Sequence, residues 1–178
     1  MSNQEKSESK EKAVEYVHTQ DFPALLRTLG ISLFATTYQA QRLLAFSAVG
    51  EKLSMLMRIS PRPTGLALAG DRMALASKHQ LLVFERAFNV KDLEGNQEDY
   101  DFCFTPRISY ICGDLQGHEV TFIGDLPHII NTRFNCISVP SNKYSFETIW
   151  RPKFISDLVK VLKNYLIFKF CKDLQSRK

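Results

Sequence analysis

The adjacent residues His118 and Glu119 are the first place in this sequence where chemistry could be built. An imidazole beside a carboxylate can help ligate a divalent cation, or act as a general base with its orienting partner. Asp114 and Asn131 offer further oxygen donors nearby in the chain. Glu119 and Asn131 are therefore the candidate metal ligands, and a divalent metal is the one cofactor these residues suggest. His79 and Arg133 are the positive candidates, Arg133 through two parallel N–H bonds to a carboxylate or phosphate. Gln80 completes the set of candidate ligand-binding residues, although it, Gln39 and Asn135 suit the plainer task of tying down their own turns. Plainer roles compete elsewhere too, since His118 can cap a turn and successive strand residues point to opposite faces. No Gly-x-Ser-x-Gly elbow surrounds Ser77 or Ser109, no base neighbours a cysteine, and Gly113 and Gly117 open no helix. No catalytic residue is assigned.

These side chains need a scaffold, and the chain texture describes one. Residues 1–19 are polar and lack apolar periodicity. Asp21 to Gly30 reads as a short helix, with Asp21 able to cap the first turn, Pro23 tolerated inside it and Gly30 as its stop. Short apolar runs then alternate with turn residues, as strands do: Ile31–Thr37, Arg42–Ala48, Lys52–Ile59, Gly65–Ala69, Arg72–Ser77 and Gln80–Phe84. Pro61 and Pro63 mark a connection between sheets, because proline cannot donate to a ladder. Lys91–Asp101 reads as a charged loop. Strands resume at Arg107–Cys112, Glu119–Ile123, His128–Thr132, Cys136–Val139 and Phe146–Trp150.

A repeat organises these strands. Phe34-Ala35-Thr36-Thr37-Tyr38-Gln39, Leu75-Ala76-Ser77-Lys78-His79-Gln80 and Ile130-Asn131-Thr132-Arg133-Phe134-Asn135 share one order of residue types. The copies begin at 34, 75 and 130, so the first spacing is 41 residues and the second 55. A period of about 40–50 residues is that of a propeller blade, and Lys91–Asp101 read as an insertion accounts for the longer spacing. Gly65-Leu66-Ala67-Leu68-Ala69-Gly70-Asp71 also matches Glu119-Val120-Thr121-Phe122-Ile123-Gly124-Asp125. The expected fold is all-β: a partial β-propeller arc of about three antiparallel blades, with a short N-terminal helix and a C-terminal helix. An open arc leaves sheet edges exposed to self-association.

The stretch from Thr36-Thr37-Tyr38-Gln39 to Trp150-Arg151-Pro152-Lys153-Phe154-Ile155 resembles an uncharacterised bacterial family of propeller-like proteins. Its members carry a domain of unknown function and sometimes occur with tetratricopeptide-repeat proteins. The matching pieces include Thr37-Tyr38-Gln39-Ala40, Gly70-Asp71-Arg72, Gly113-Asp114-Leu115 with His118, Asn131-Thr132 and Trp150-Arg151-Pro152. The texture is similar to NHL and gluconolactonase-type propellers. Two departures stand out: Glu119 follows His118 where the family has Asp, and Asp157 onward does not match the family's continuation. A domain at 20–156 followed by a divergent basic, amphipathic tail at 157–178, as in a truncated member, is the organisation this implies.

Composition narrows the classes. A net charge of +4 with scattered basic residues does not favour nucleic acid. No apolar run is long enough to span a bilayer, and the polar start is unlike a secretory signal. Four cysteines without metal-knuckle spacing suit reduced thiols in a cytoplasmic protein. The expected function is a non-catalytic binding or scaffold module that takes a protein or small-molecule ligand at one rim of the blades. The rival is a metal-assisted hydrolase or lactonase, and a third reading is a fragment without independent function.

Overall fold

The computed structural model describes residues 16–88 and 102–154. Within them the chain runs α1 (Phe22–Leu29), β1 (Leu33–Thr37), β2 (Arg42–Val49), β3 (Lys52–Ile59), β4 (Leu66–Ala69), β5 (Arg72–Ala76), β6 (Gln80–Phe88), β7 (Phe102–Ile111), β8 (Gly117–Ile123), β9 (Leu126–Asn131), β10 (Cys136–Val139) and β11 (Glu147–Trp150). Within each sheet, strands adjacent in sequence are hydrogen-bonded neighbours. The result is a three-stranded sheet β1-β2-β3 and two four-stranded sheets, β4-β5-β6-β7 and β8-β9-β10-β11. The protein is therefore mostly β, with three sheets and one short helix among the described residues. The tail helix expected after residue 156 and the Lys91–Asp101 loop lie outside them, as does most of the 1–19 segment.

The expected strands differ from those observed mainly around Pro106. Sequence reasoning begins the seventh strand at Arg107, whereas β7 starts at Phe102 and pairs with β6 back to Phe88. β7 is an edge strand, and Pro106 sits opposite Phe84 at a register shift, where a missing donor is tolerated. Asp21 also differs from expectation. It occupies the helix N-cap but makes no side-chain cap bond, because its backbone is already αR (φ −80°, ψ −12°) rather than the extended shape that turns the carboxylate back. The other end behaves as expected: Gly30 N–H donates to the Arg27 carbonyl and Ile31 N–H to that of Leu26.

The contacts divide the chain into two compact units. In the first (Met1–Leu33 with Phe46–Met55), α1 buries Pro23 and Leu26, and the Arg27 guanidinium donates to the Gly50 carbonyl at 2.6 Å. The Phe22 and Phe46 rings meet edge-on at 6.2 Å. The second unit (Phe34–Ala45 with Leu56–Lys178) contains both four-stranded sheets.

In that second unit, β5 is buried along its length. Ala74 and Ala76 on one face join Leu81, Cys112, Leu115, Val120, Ile129, Phe134, Cys136 and Phe146 in one core between the two four-stranded sheets. Met73 and Leu75 on the other face are equally buried. Phe34 of β1 meets Phe104 of β7 edge-on at 5.8 Å.

The sheets come together because Gly65 has no side chain at the joint, while Gly117 makes room for Ile129 within its own sheet. A Cβ on Gly65 would lie 2.7 Å from both the Glu119 carbonyl carbon and the Val120 nitrogen. One on Gly117 would lie 2.9 Å from Ile129 Cγ2. The Thr64 hydroxyl donates across the same joint to the Gly117 carbonyl. At the far end of the strands Arg72 holds the β8–β9 turn, donating to the Asp125 carbonyl at 3.0 Å and pairing with its carboxylate at 2.9 Å. The guanidinium also lies over the Phe122 ring.

Gly65→Ala is expected to destabilise the fold by about 1–3 kcal/mol, because the clash is with main chain that cannot rotate away. Gly117→Ala should cost less, since the end of a side chain can move. Urea midpoints of the two variants check the order, and a Gly65→Ala midpoint equal to wild type would refute the close approach.

Candidate functional site

Five chain segments gather where β1, β5 and β9 end and β4 and β8 begin. Backbone hydrogen bonds join them in succession. Ser60 N–H donates to Gln41, Lys78 N–H to Pro61, Thr64 N–H to Ala76, Cys112 N–H to His79, and Arg133 N–H to Leu115, all at 2.9–3.2 Å. The Thr132 hydroxyl adds a bond to the Gln116 carbonyl at 2.6 Å. Turns that would otherwise be separate are thus cross-braced into one rim. Such bonds satisfy backbone groups that a loop leaves open and fix the loops relative to one another.

The structure places the candidate residues on this rim in different roles. His79 and Gln80 are exposed in the β5–β6 turn, which the Gln80 carbonyl closes by accepting from Ser77 N–H at 2.8 Å. His118 and Glu119 are exposed at the start of β8, with Nδ1 and Oε1 3.8 Å apart. An exposed pair at that separation is screened by water and contributes little to stability. Arg133 is drawn to Asp114 at 2.9 Å, both mostly buried, which ties the β9–β10 turn to the segment before β8. Asn131 is fully buried, and its Oδ1 accepts from Phe134 N–H at 3.2 Å, so its side chain serves the turn. Among the described residues no three His, Cys, Asp or Glu side chains gather as a metal site would require.

Sequence reasoning missed two features of the rim. Arg62 lies over the Tyr38 ring, 5.9 Å from its centroid, which brings an exposed cation and an aromatic face together from segments 24 residues apart (38 to 62). The Asp114–Arg133 pairing is likewise a long-range contact. Only the opposite charges signalled it, and charge alone names no partner.

Behind the rim lies a space of about 10 Å³, roughly enough for one water, bordered by Ser77, Gln80, Cys112, Leu115, Gly117 and Ile129. It is below the range of about 300–1,000 Å³ usual for small-molecule pockets. Burial pushes the Cys112 thiol up from its ordinary 9.0 to about 11, against the smaller pull of a backbone hydrogen bond at Leu81. The thiol is thus neutral and inert at physiological pH.

Consecutive antiparallel meander sheets, with cross-braced loops at one end, define a mostly β scaffold. The chain belongs to the family described as domain of unknown function DUF4915, which matches residues 20–166. No curated protein and no solved structure matches the chain. Among the described residues no helix is long and apolar enough to cross a membrane.

Two outcomes follow from this geometry. Asp114→Ala and Arg133→Ala should each cost about 1–2 kcal/mol, with the double variant costing less than their sum; additive costs would mean the pair contributes nothing. Iodoacetamide should label half-buried Cys103 before Cys112, whose labelling should rise only as pH approaches 11. The unfolded thiol ionises first, so the Cys112 contribution to stability is intact below pH 9.0 and is lost as pH climbs to about 11.

Proposed function

We propose that this chain is a propeller-type binding or scaffold module, without catalysis of its own, that engages a protein or small-molecule ligand through the cross-braced rim. The propeller reading is supported by the joint between the four-stranded sheets. Gly65 and Glu119 are matched positions in the two Gly-Asp hairpins of the repeat, yet they touch one another. Matched positions that meet at the start of the inner strands are what sheets radiating from a common axis produce. The three repeat copies also fall on matched turns, β1–β2, β5–β6 and β9–β10. A cytoplasmic setting is supported by Cys103 and Cys112, which form no disulfide.

The observation that carries the binding reading is the bonded rim itself. Its backbone is fixed, while His79, Gln80, His118, Glu119, Arg62 and Tyr38 stay exposed on it. Fixed loops with exposed polar and aromatic groups lose little order on engaging a ligand. A protein surface or flexible ligand can rest on such loops without entering a deep pocket.

The test is a titration of the 15N-labelled chain with a fragment library that includes carboxylates, phosphates and short peptides. Shift changes are expected to gather on His79, Gln80, His118 and Glu119, and to vanish in the His79→Ala, His118→Ala double variant. Changes confined to the outer strands β3, β7 and β11 would overturn the rim assignment.

A further inference from the structure

The fold gathers at one end basic residues that are scattered in the sequence. Arg42 opens β2 just after the first rim turn, Arg58 lies beside the last residue of β3, and Arg62 and Lys78 stand in the β3–β4 and β5–β6 connections. Trp150 lies opposite Ile137, near the start of β10, so Arg151 and Lys153 leave β11 at the same end. All six belong to the second compact unit, and among the described residues none of them is ion-paired. Arg42 and Arg58 donate to neighbouring carbonyls, which leaves their charge uncompensated. The carboxylates at this end are Asp114, already held by Arg133, and Glu119, exposed beside His118. The far ends of the four-stranded sheets differ. There Arg72 pairs with Asp125 and Arg86 with Asp71, and Glu147 follows Lys143 in the chain.

Backbone conformation marks the same loops. Among the described residues the non-glycine positions with positive φ are Gln41, Arg62, Gln116 and Asn135, at 45–54°. All four lie on the rim and are exposed. The β2–β3, β4–β5 and β8–β9 hairpins take glycine in this conformation, at Gly50, Gly70 and Gly124. Asn tolerates it, but Gln and Arg adopt it rarely, and a side chain held there against the backbone's own preference points to a contact beyond the fold. We propose that the rim takes an acidic polypeptide segment of a partner protein, its carboxylates meeting the six cations and its main chain the amides of Gln41, Gln116 and Asn135. Guanidinium and ammonium groups without carboxylates are what an acidic chain complements. A side-chain amide donates and accepts at once, so it pairs with peptide N–H and C=O groups. Single-stranded nucleic acid is held largely by stacked bases, whereas Tyr38 of the rim already has Arg62 over its ring. The inference rests on the rim being a binding surface and names the chemistry of what it binds.

The test is the fluorescence anisotropy of a labelled peptide of alternating Glu and Ser added to the full chain. A Lys-Ser peptide, a neutral Gly-Ser peptide and oligothymidylate serve as comparisons. The expected result is saturable binding of the Glu peptide, none of the Lys peptide, and weaker binding of oligothymidylate. Arg62→Gly should weaken the Glu peptide about tenfold, as the loss of one charge-assisted hydrogen bond does. Its urea midpoint should be no lower than that of wild type, because glycine adopts the left-handed conformation without strain. Lys78→Gln should weaken binding in the same direction, while Lys143→Gln, exposed at the far end, should bind as wild type does. A Glu peptide that does not bind, or oligothymidylate that binds more tightly, overturns the acidic partner. So does Arg62→Gly with a lower midpoint and unchanged affinity. In the 15N-labelled chain, a neutral peptide that moves the rim signals where the Glu peptide does not would remove the acidic partner and leave the rim reading standing. A Glu peptide that moves only Arg72 and Lys143 would remove both.

Discussion

Two backbones can lie within van der Waals reach only where one of them lacks a side chain, and the junction of this molecule depends on that constraint. Gly65 rests directly against the main chain at Glu119 and Val120. Its position sets the distance between the four-stranded sheets and so the size of the residues that fill the gap. That is why the facing surface of β5 is Ala74 and Ala76 while the third sheet supplies the larger Val120 and Ile129. The small residues hold the sheets close enough for Thr64 to donate to Gly117 and for the neighbouring loops to exchange backbone bonds. Rim geometry is thus a downstream consequence of one missing methyl group.

The same pair of sheets is pinned at its other end by Arg72. Its guanidinium reaches the carbonyl and carboxylate of Asp125 and covers Phe122. Arg86 treats the Gly70-Asp71 turn of its own sheet similarly, with its backbone N–H on the Asp71 carbonyl and its guanidinium near the carboxylate. Each contact is exposed enough to be modest alone. Together with the glycine joint they fix the strands at both ends, so the two sheets resist sliding along one another.

Much of this fold was legible in the chain. Strand periodicity located β3 and β10 to the residue, and Gly50 and Gly70 carry the left-handed backbone their hairpins need (φ 59° and 58°). Pro106 hid the first half of β7, because sequence cannot say that a strand lies at an edge. The candidate site was legible as a set of loops but not as roles. Asn131 looked like a donor because its residue type is right; burial and the bond to Phe134 N–H make it part of a turn. Arg133 looked like an anion site, and its anion proved to be Asp114 of the same chain. Such outcomes depend on which segments meet across long sequence separations, and local pattern does not encode that.

The two matched hairpins are also out of step. Five residues separate Gly70 from Leu75, and six separate Gly124 from Ile130, which occupies the matching place in the second repeat motif. β9 is one residue longer than β5, and β8 is longer still, with a bulge between Gly117 and Val120 that sets His118 and Glu119 opposite Ile130. The turns at both ends of the hairpin still match. Bulges therefore give duplicated units of this kind a place to absorb single-residue insertions, so that copies can drift apart in length while the loops they carry stay aligned.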